Sequence, residues 1–163
     1  LMTPNNIVNM ALIKGLDIIA VCDHNTARHL PAIARVAEEA GLPLLPGMEI
    51  TTAEEVHLLA YFSSVDKALE FSDYIYPHLP PIPNRPEFFG EQTLLDSEDE
   101  PVGTEPRLLL TALDLTIGQL TRDINAAGGI VSNDNDRQTR LPLEAFCLFF
   151  YCFLAFGCQG FAI

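Results

Sequence analysis

Helical spacing and short apolar runs alternate from the first residues of this chain, and that alternation admits few folds. Thr3-Pro4 reads as a helix cap and first helical residue, Ile7, Met10 and Ala11 recur at helical spacing, and Gly15 supplies a stop, predicting a helix over residues 4–14. The apolar run 17–22 follows as a strand. Thr26 is placed to cap a second helix carrying Leu30, Ile33, Ala34 and Ala37 on one face and ending at Gly41, and residues 42–45 form the next strand. Strands separated by a helix pair in parallel, so the fold class is α/β. A helix in such a fold normally follows a strand, so an earlier strand is expected ahead of Leu1.

Further along, residues 48–52 and 56–62 are β-rich and joined by Ala53-Glu54-Glu55, a connection short enough for an antiparallel hairpin. A helix is predicted over 65–75. Pro77, Pro80, Pro81, Pro83 and Pro86 then forbid regular structure through residue 86, which reads as a loop or small excursion, a lid or a stiff connector. Leu94-Leu95 and Leu108-Leu109-Leu110 flank an acidic, glycine-containing stretch and predict a second hairpin. Thr116 caps a helix over 117–127 that stops at Gly128-Gly129, and Ile130-Val131 opens another strand.

The chain has 163 residues, enough for one sizeable core, with nine Lys and Arg against 22 Asp and Glu and a formal charge of −13. A surface of that sign repels polyphosphate, so long nucleic acid is not an expected partner. The acidic run 96–100 reads as a solvated loop. Cys22, Cys147, Cys152 and Cys158 form no C-x-x-C pair, which excludes zinc-ribbon and thioredoxin readings and fits a reducing, cytoplasmic setting. No cationic segment followed by an apolar one opens the chain, so no secretory signal is read. Residues 145–163 carry no charge and are apolar without period. Crossing a bilayer takes about 20 such residues, and a truncated or out-of-register tail is preferred over a membrane anchor.

Three pieces bear acid and imidazole groups where strand order brings them together: Asp23-His24 after the first strand, Glu49 within Gly47-Met48-Glu49, and His57 opening His57-Leu58-Leu59. Residues leaving the carboxyl ends of strands line the ligand crevice of α/β proteins. A single histidine beside an apolar strand is ordinarily a hydrogen-bonded structural residue. Three groups on neighbouring strands point instead to a metal site. If Thr51 faces His57 across the hairpin, Glu49 faces Leu59, and Glu49 and His57 become diagonal neighbours about 7 to 8 Å apart on one face. A one-residue slip would separate them. His29, one turn into the second helix, and His78, in the proline-rich loop, read as surface or loop histidines, and Arg28 and Arg35 as solvated helix positions.

Taken together and in order, residues 15–25 (GLDIIAVCDHN), 44–52 (LLPGMEITT) and 57–62 (HLLAYF) resemble the polymerase and histidinol phosphatase (PHP) family of metal-dependent phosphoesterases. The resemblance covers about residues 1–137. It implies a partial distorted (β/α) barrel over 1–137, with 138–163 left as an apolar tail, and a site for up to three divalent ions, zinc, manganese or iron. His24 and His57 are then imidazole ligands, Glu49 is a carboxylate bridging two ions, and Asp23 orients His24 from behind. The sequence departs from the family in two ways. The family opens on a strand bearing His-x-His, absent here, and it ends a later strand in Ala-His, where this chain has residues 130–137 (IVSNDNDR) and offers Asp134 as a substitute oxygen ligand. The family's closing Asp-x-His is also not found.

The first reading is a metal-dependent phosphoester hydrolase acting on a small phosphorylated metabolite or nucleotide. The alternative is a noncatalytic PHP-like fragment or interaction module with an incomplete metal site, and a nuclease-like activity ranks third on charge. The intact parent is expected to be the enzyme. Loss of ligands costs metal affinity, so this chain by itself is expected to hydrolyse little.

Overall fold

The computed structural model describes residues 2–133. In chain order the elements are α1 (Pro4–Ile13), β1 (Ile19–His24), α2 (Leu30–Glu39), β2 (Leu44–Thr51), β3 (His57–Tyr61), α3 (Val65–Ile75) with a 3-10 turn at Tyr76–His78, a short α4 (Pro86–Phe89), β4 (Thr93–Leu95), β5 (Pro101–Thr104), α5 (Ile117–Ala126) and β6 (Ile130–Asn133). Four strands form one sheet in the order β1-β2-β3-β6, with β1 and β2 parallel and the other neighbours antiparallel. β4 and β5 make a separate antiparallel ribbon. The protein is mixed α/β. Among the described residues the large sheet stays open, because closing a barrel requires a partner for each edge strand and neither β1 nor β6 has a second one.

Strand alternation divides this sheet into two chemically distinct faces. Ile19, Val21, Met48, Ile50, Leu58 and Ala60 share one face and join Ile7, Val8, Ile33, Phe71, Leu120 and Ile124 of the helices in a single core. Buried Ala20, Cys22 and Leu59 lie on the opposite face and outside that core. This second face carries His24, Glu49 and His57, so helix packing on one side leaves the other free to hold polar chemistry.

Local chemistry explains the element ends and four departures from expectation. Thr3 caps α1 by accepting the Asn6 N–H, and Gly15 and Gly41 take the positive φ (+70° and +69°) that ends α1 and α2. Thr116 and Gln119 form a reciprocal capping box at α5. β1 runs 19–24 rather than 17–22, since Asp17 is exposed and burial begins at Ile19, while ladder pairing continues to His24↔Glu49. The two predicted strands 42–45 and 48–52 are one strand, β2, because Pro46-Gly47 does not interrupt pairing: the Pro46 carbonyl still accepts the Phe62 N–H at 2.9 Å. Thr26 does not cap α2. Its Oγ1 accepts the Arg28 N–H at 3.3 Å in a local turn, and the helix starts after His29. Leu108–110 is not a strand; the partner of β4 is 101–104, and Leu109 enters the core instead.

The excursion between α3 and α5 is pinned by buried polar side chains. Gln92 donates to the Glu105 and Arg107 carbonyls and accepts the Leu109 N–H. Buried Glu105 takes Arg28 on Oε2 at 2.7 Å and the Tyr76 hydroxyl and Arg107 N–H on Oε1, so Arg28 is an ion-pair residue, not a solvated helix position. Arg35 is exposed and pairs with Glu39 and Glu98, and His78 pairs with Asp114 at 2.7 Å.

The acidic run is also structured where a solvated loop was expected. Asp99, held at φ +64°, accepts the Thr3 hydroxyl at 2.7 Å and both the backbone and side-chain N–H groups of Asn5. Burial pushes its carboxyl up, but the hydrogen bonds from Asn5 and Thr3 outweigh that and hold it below the usual aspartate value. A lowered folded pKa means stability present above the unfolded pKa and lost as pH falls through the folded one. Asp99→Ala is therefore expected to cost about 1–2 kcal/mol at pH 7 and progressively less below about pH 4, read by urea unfolding at both pH values.

Candidate metal centre

The site is built by sheet register. In the parallel ladder His24 stands opposite Glu49; in the antiparallel one Glu49 stands opposite Leu59 and Thr51 opposite His57. Of the two registers weighed from the sequence this is the one that brings the groups together, and it places residues 24, 49 and 57 on one face. Ligand atoms of the three lie within 4.8 Å of one another. Glu49 Oε1 is 2.8 Å from His57 Nδ1, and Oε2 is 3.6 Å from His24 Nδ1. The Thr51 hydroxyl stands 3.5 Å from the same His57 nitrogen.

Burial across the cluster is graded. The Glu49 side chain is 4% exposed, His24 13% and His57 45%, so the carboxylate lies at the base and His57 opens to solvent. Glu49 Oε2 is buried with no hydrogen-bond partner. A buried carboxylate oxygen without a donor is costly unless a cation or proton satisfies it. Two imidazole nitrogens and a carboxylate are a donor set for a borderline divalent ion such as zinc, manganese or iron. The residues fit a metal on the strength of that orphaned oxygen and that chemistry.

Below the cluster the sheet is tight. Gly47 pairs with Cys22 two residues before the His24–Glu49 pair, and a Cβ at 47 would stand 2.5 Å from Cys22 Sγ. The Cys22 side chain is buried there.

Asn25, directly after His24, went unread in the sequence and is central here. It adopts φ +52° and donates its N–H to the Glu49 carbonyl at 2.8 Å. Its side chain accepts the Thr51 N–H at 3.0 Å and donates to the Leu109 and Thr111 carbonyls. The available signal was an Asn at the end of a strand, a residue type that tolerates the left-handed region.

His29 also departs from expectation. It is 6% exposed, not on the surface, because the chain turns inward before α2; its Nδ1 is 3.5 Å from Asp23 Oδ2 and its Nε2 accepts the Leu95 N–H at 3.0 Å. Asp23 lies on the opposite face of β1 from His24 and contacts His29. Asp134 and the tail 138–163 lie outside the described residues. No helix among the described residues is long and apolar enough to cross a membrane.

No family model matches the chain. Over 51 residues, 31% of this chain, it is 33% identical to a 5'-3' exoribonuclease of Haemophilus influenzae, and over an equal length 37% identical to an uncharacterised protein of Methanocaldococcus jannaschii. The matches take in 19% and 30% of those relatives, so the chain spans less than a third of the length of each. The solved structure of a proposed metal-dependent phosphoesterase from Bifidobacterium adolescentis matches with a TM-score of 0.54 and 20% identity, over 87% of this chain and 66% of that one. The likeness is one of fold: this chain shares a mixed α/β architecture with that structure and carries a His-Glu-His cluster on the face of its sheet away from the helices.

Proposed function

We propose that the chain is part of a metal-dependent phosphoester hydrolase of the PHP type, with a barrel-related fold, acting on a small phosphorylated metabolite or nucleotide. The observation that carries this reading is the convergence of His24, Glu49 and His57 around an orphaned carboxylate oxygen. The fold likeness to a proposed metal-dependent phosphoesterase supports the reaction class. A divalent ion, when bound, supplies Lewis acidity toward a phosphoryl oxygen and makes water a better nucleophile. Glu49, at the buried base, fixes the negative charge that holds the cation, His24 presents its ring from the neighbouring strand, and His57 supplies the solvent-facing side through which a substrate would approach. A formal charge of −13 disfavours long polyanions and leaves small phosphate esters as the substrate class.

The exoribonuclease relative favours a second reading, cleavage of a phosphodiester. Elemental analysis of the purified protein, paired with p-nitrophenyl phosphate and bis(p-nitrophenyl) phosphate assays in manganese or zinc, separates the possibilities. The expected result is at least one divalent ion per chain and slow monoester hydrolysis, lost on EDTA treatment and restored by metal. Preference for the diester supports the second reading. A metal-free protein inert in every metal supports the noncatalytic module and removes the hydrolase.

A further inference from the structure

Asp23, His29 and Leu95 bring the end of β1, the start of α2 and the β4–β5 ribbon to one buried point. Because His29 Nε2 accepts the Leu95 N–H at 3.0 Å, that nitrogen carries no proton, and in the neutral ring the proton resides on Nδ1, facing Asp23 Oδ2 at 3.5 Å. The other oxygen of Asp23, Oδ1, is buried without a hydrogen-bond partner. His29 Nδ1 is thus the group that faces this carboxylate, and Asp23 shares a peptide unit with His24. Leu95 belongs to the ribbon whose turn, through Asp99, also grips the start of α1. This imidazole touches both the ribbon, at Leu95, and the end of the metal strand, at Asp23.

We infer that His29 is a positioning residue for the metal site: by donating from Nδ1 to Asp23 it sets the end of β1 and hence the placement of the His24 ring. The inference rests on the metal-binding reading above. Two substitutions split the two functions of the ring. His29→Asn keeps a donor where Nδ1 stands but loses the acceptor for Leu95, whereas His29→Gln keeps an acceptor toward Leu95 and loses the donor to Asp23.

The test is a cobalt(II) titration of the full chain, followed by the visible d–d bands, with far-UV circular dichroism on each variant. His29→Gln is expected to weaken cobalt binding about tenfold or more and shift the bands, while His29→Asn stays within about threefold of wild type, since outer partners of metal ligands typically govern affinity by about 10 to 100-fold. Equal affinity in both variants and wild type overturns the positioning role and leaves the metal reading intact. Equal weakening in both also overturns it, as the signature of a merely structural histidine. A wild-type chain that takes up no cobalt, matched by an identical Glu49→Gln titration, removes the metal reading and this inference with it. Long-range nitrogen NMR of the wild type decides independently of variant folding: His29 protonated at Nδ1 is expected, and protonation at Nε2 overturns the proposal.

Discussion

Glu49→Gln is expected to abolish tight metal binding while leaving the metal-free protein as stable as wild type or more so. The carboxylate is the anionic member of the cluster and is 4% exposed, so replacing it with a neutral amide removes the charge that compensates a divalent cation in a site of low polarity. The loss in affinity should exceed about 100-fold, because outer-shell changes alone reach about 10 to 100-fold. In the metal-free chain the same change works the other way. Glu49 Oε2 is a buried carboxylate oxygen without a hydrogen-bond partner, which is costly, whereas a glutamine can still accept from His57 Nδ1 through its oxygen. Calorimetric zinc titration and thermal unfolding in EDTA read the two effects. Retained binding together with a destabilised metal-free protein would show that Glu49 is a structural acid and that no cation belongs beside it.

Asn25→Ala is expected to be the most damaging single change to the scaffold of the site. It removes an acceptor for the Thr51 N–H and a donor to two carbonyls, Leu109 and Thr111, and does so at a residue held at φ +52°. Groups buried without partners cost about 1–3 kcal/mol each, so a total near 3–5 kcal/mol is expected. For a chain of this size that lowers the melting temperature by roughly 6–20 °C. Asn25→Asp keeps the acceptor but turns lone pairs toward both carbonyls, so it should do no better. Asn25→Gly relieves the backbone and restores no bond; recovery of more than half the lost stability by glycine would mean that conformation, not hydrogen bonding, sets the requirement.

Much of the site was legible from local sequence because sheet geometry is periodic. A three-residue connection between two β-rich stretches predicts a hairpin, and if Thr51 meets His57 across it, as it does in the structure, Glu49 shares their face. The parallel strand then adds His24 opposite Glu49. The PHP resemblance proposed the same three residues on independent grounds. Element existence was readable for the same reason: α3 is found where its period placed it, and α5 begins at the capping Thr116.

What local pattern could not reveal were the contacts between residues far apart in the chain. His29 looks like a helix-surface histidine until the Leu95 backbone, 66 residues on, donates to it. The run 96–100 looks solvated until Asp99 closes on Thr3 and Asn5, and Arg28 looks free until Glu105 is buried beneath it. Amino-acid order by itself indicated the alternation of helix and strand, the β2–β3 hairpin and the three metal-ligating candidates, since these follow from side-chain alternation and turn length. Only the tertiary structure decided which face packs against helices, how the proline-rich excursion is anchored, and which buried polar groups meet, because burial converts a weak surface preference into a hydrogen bond that the fold must satisfy.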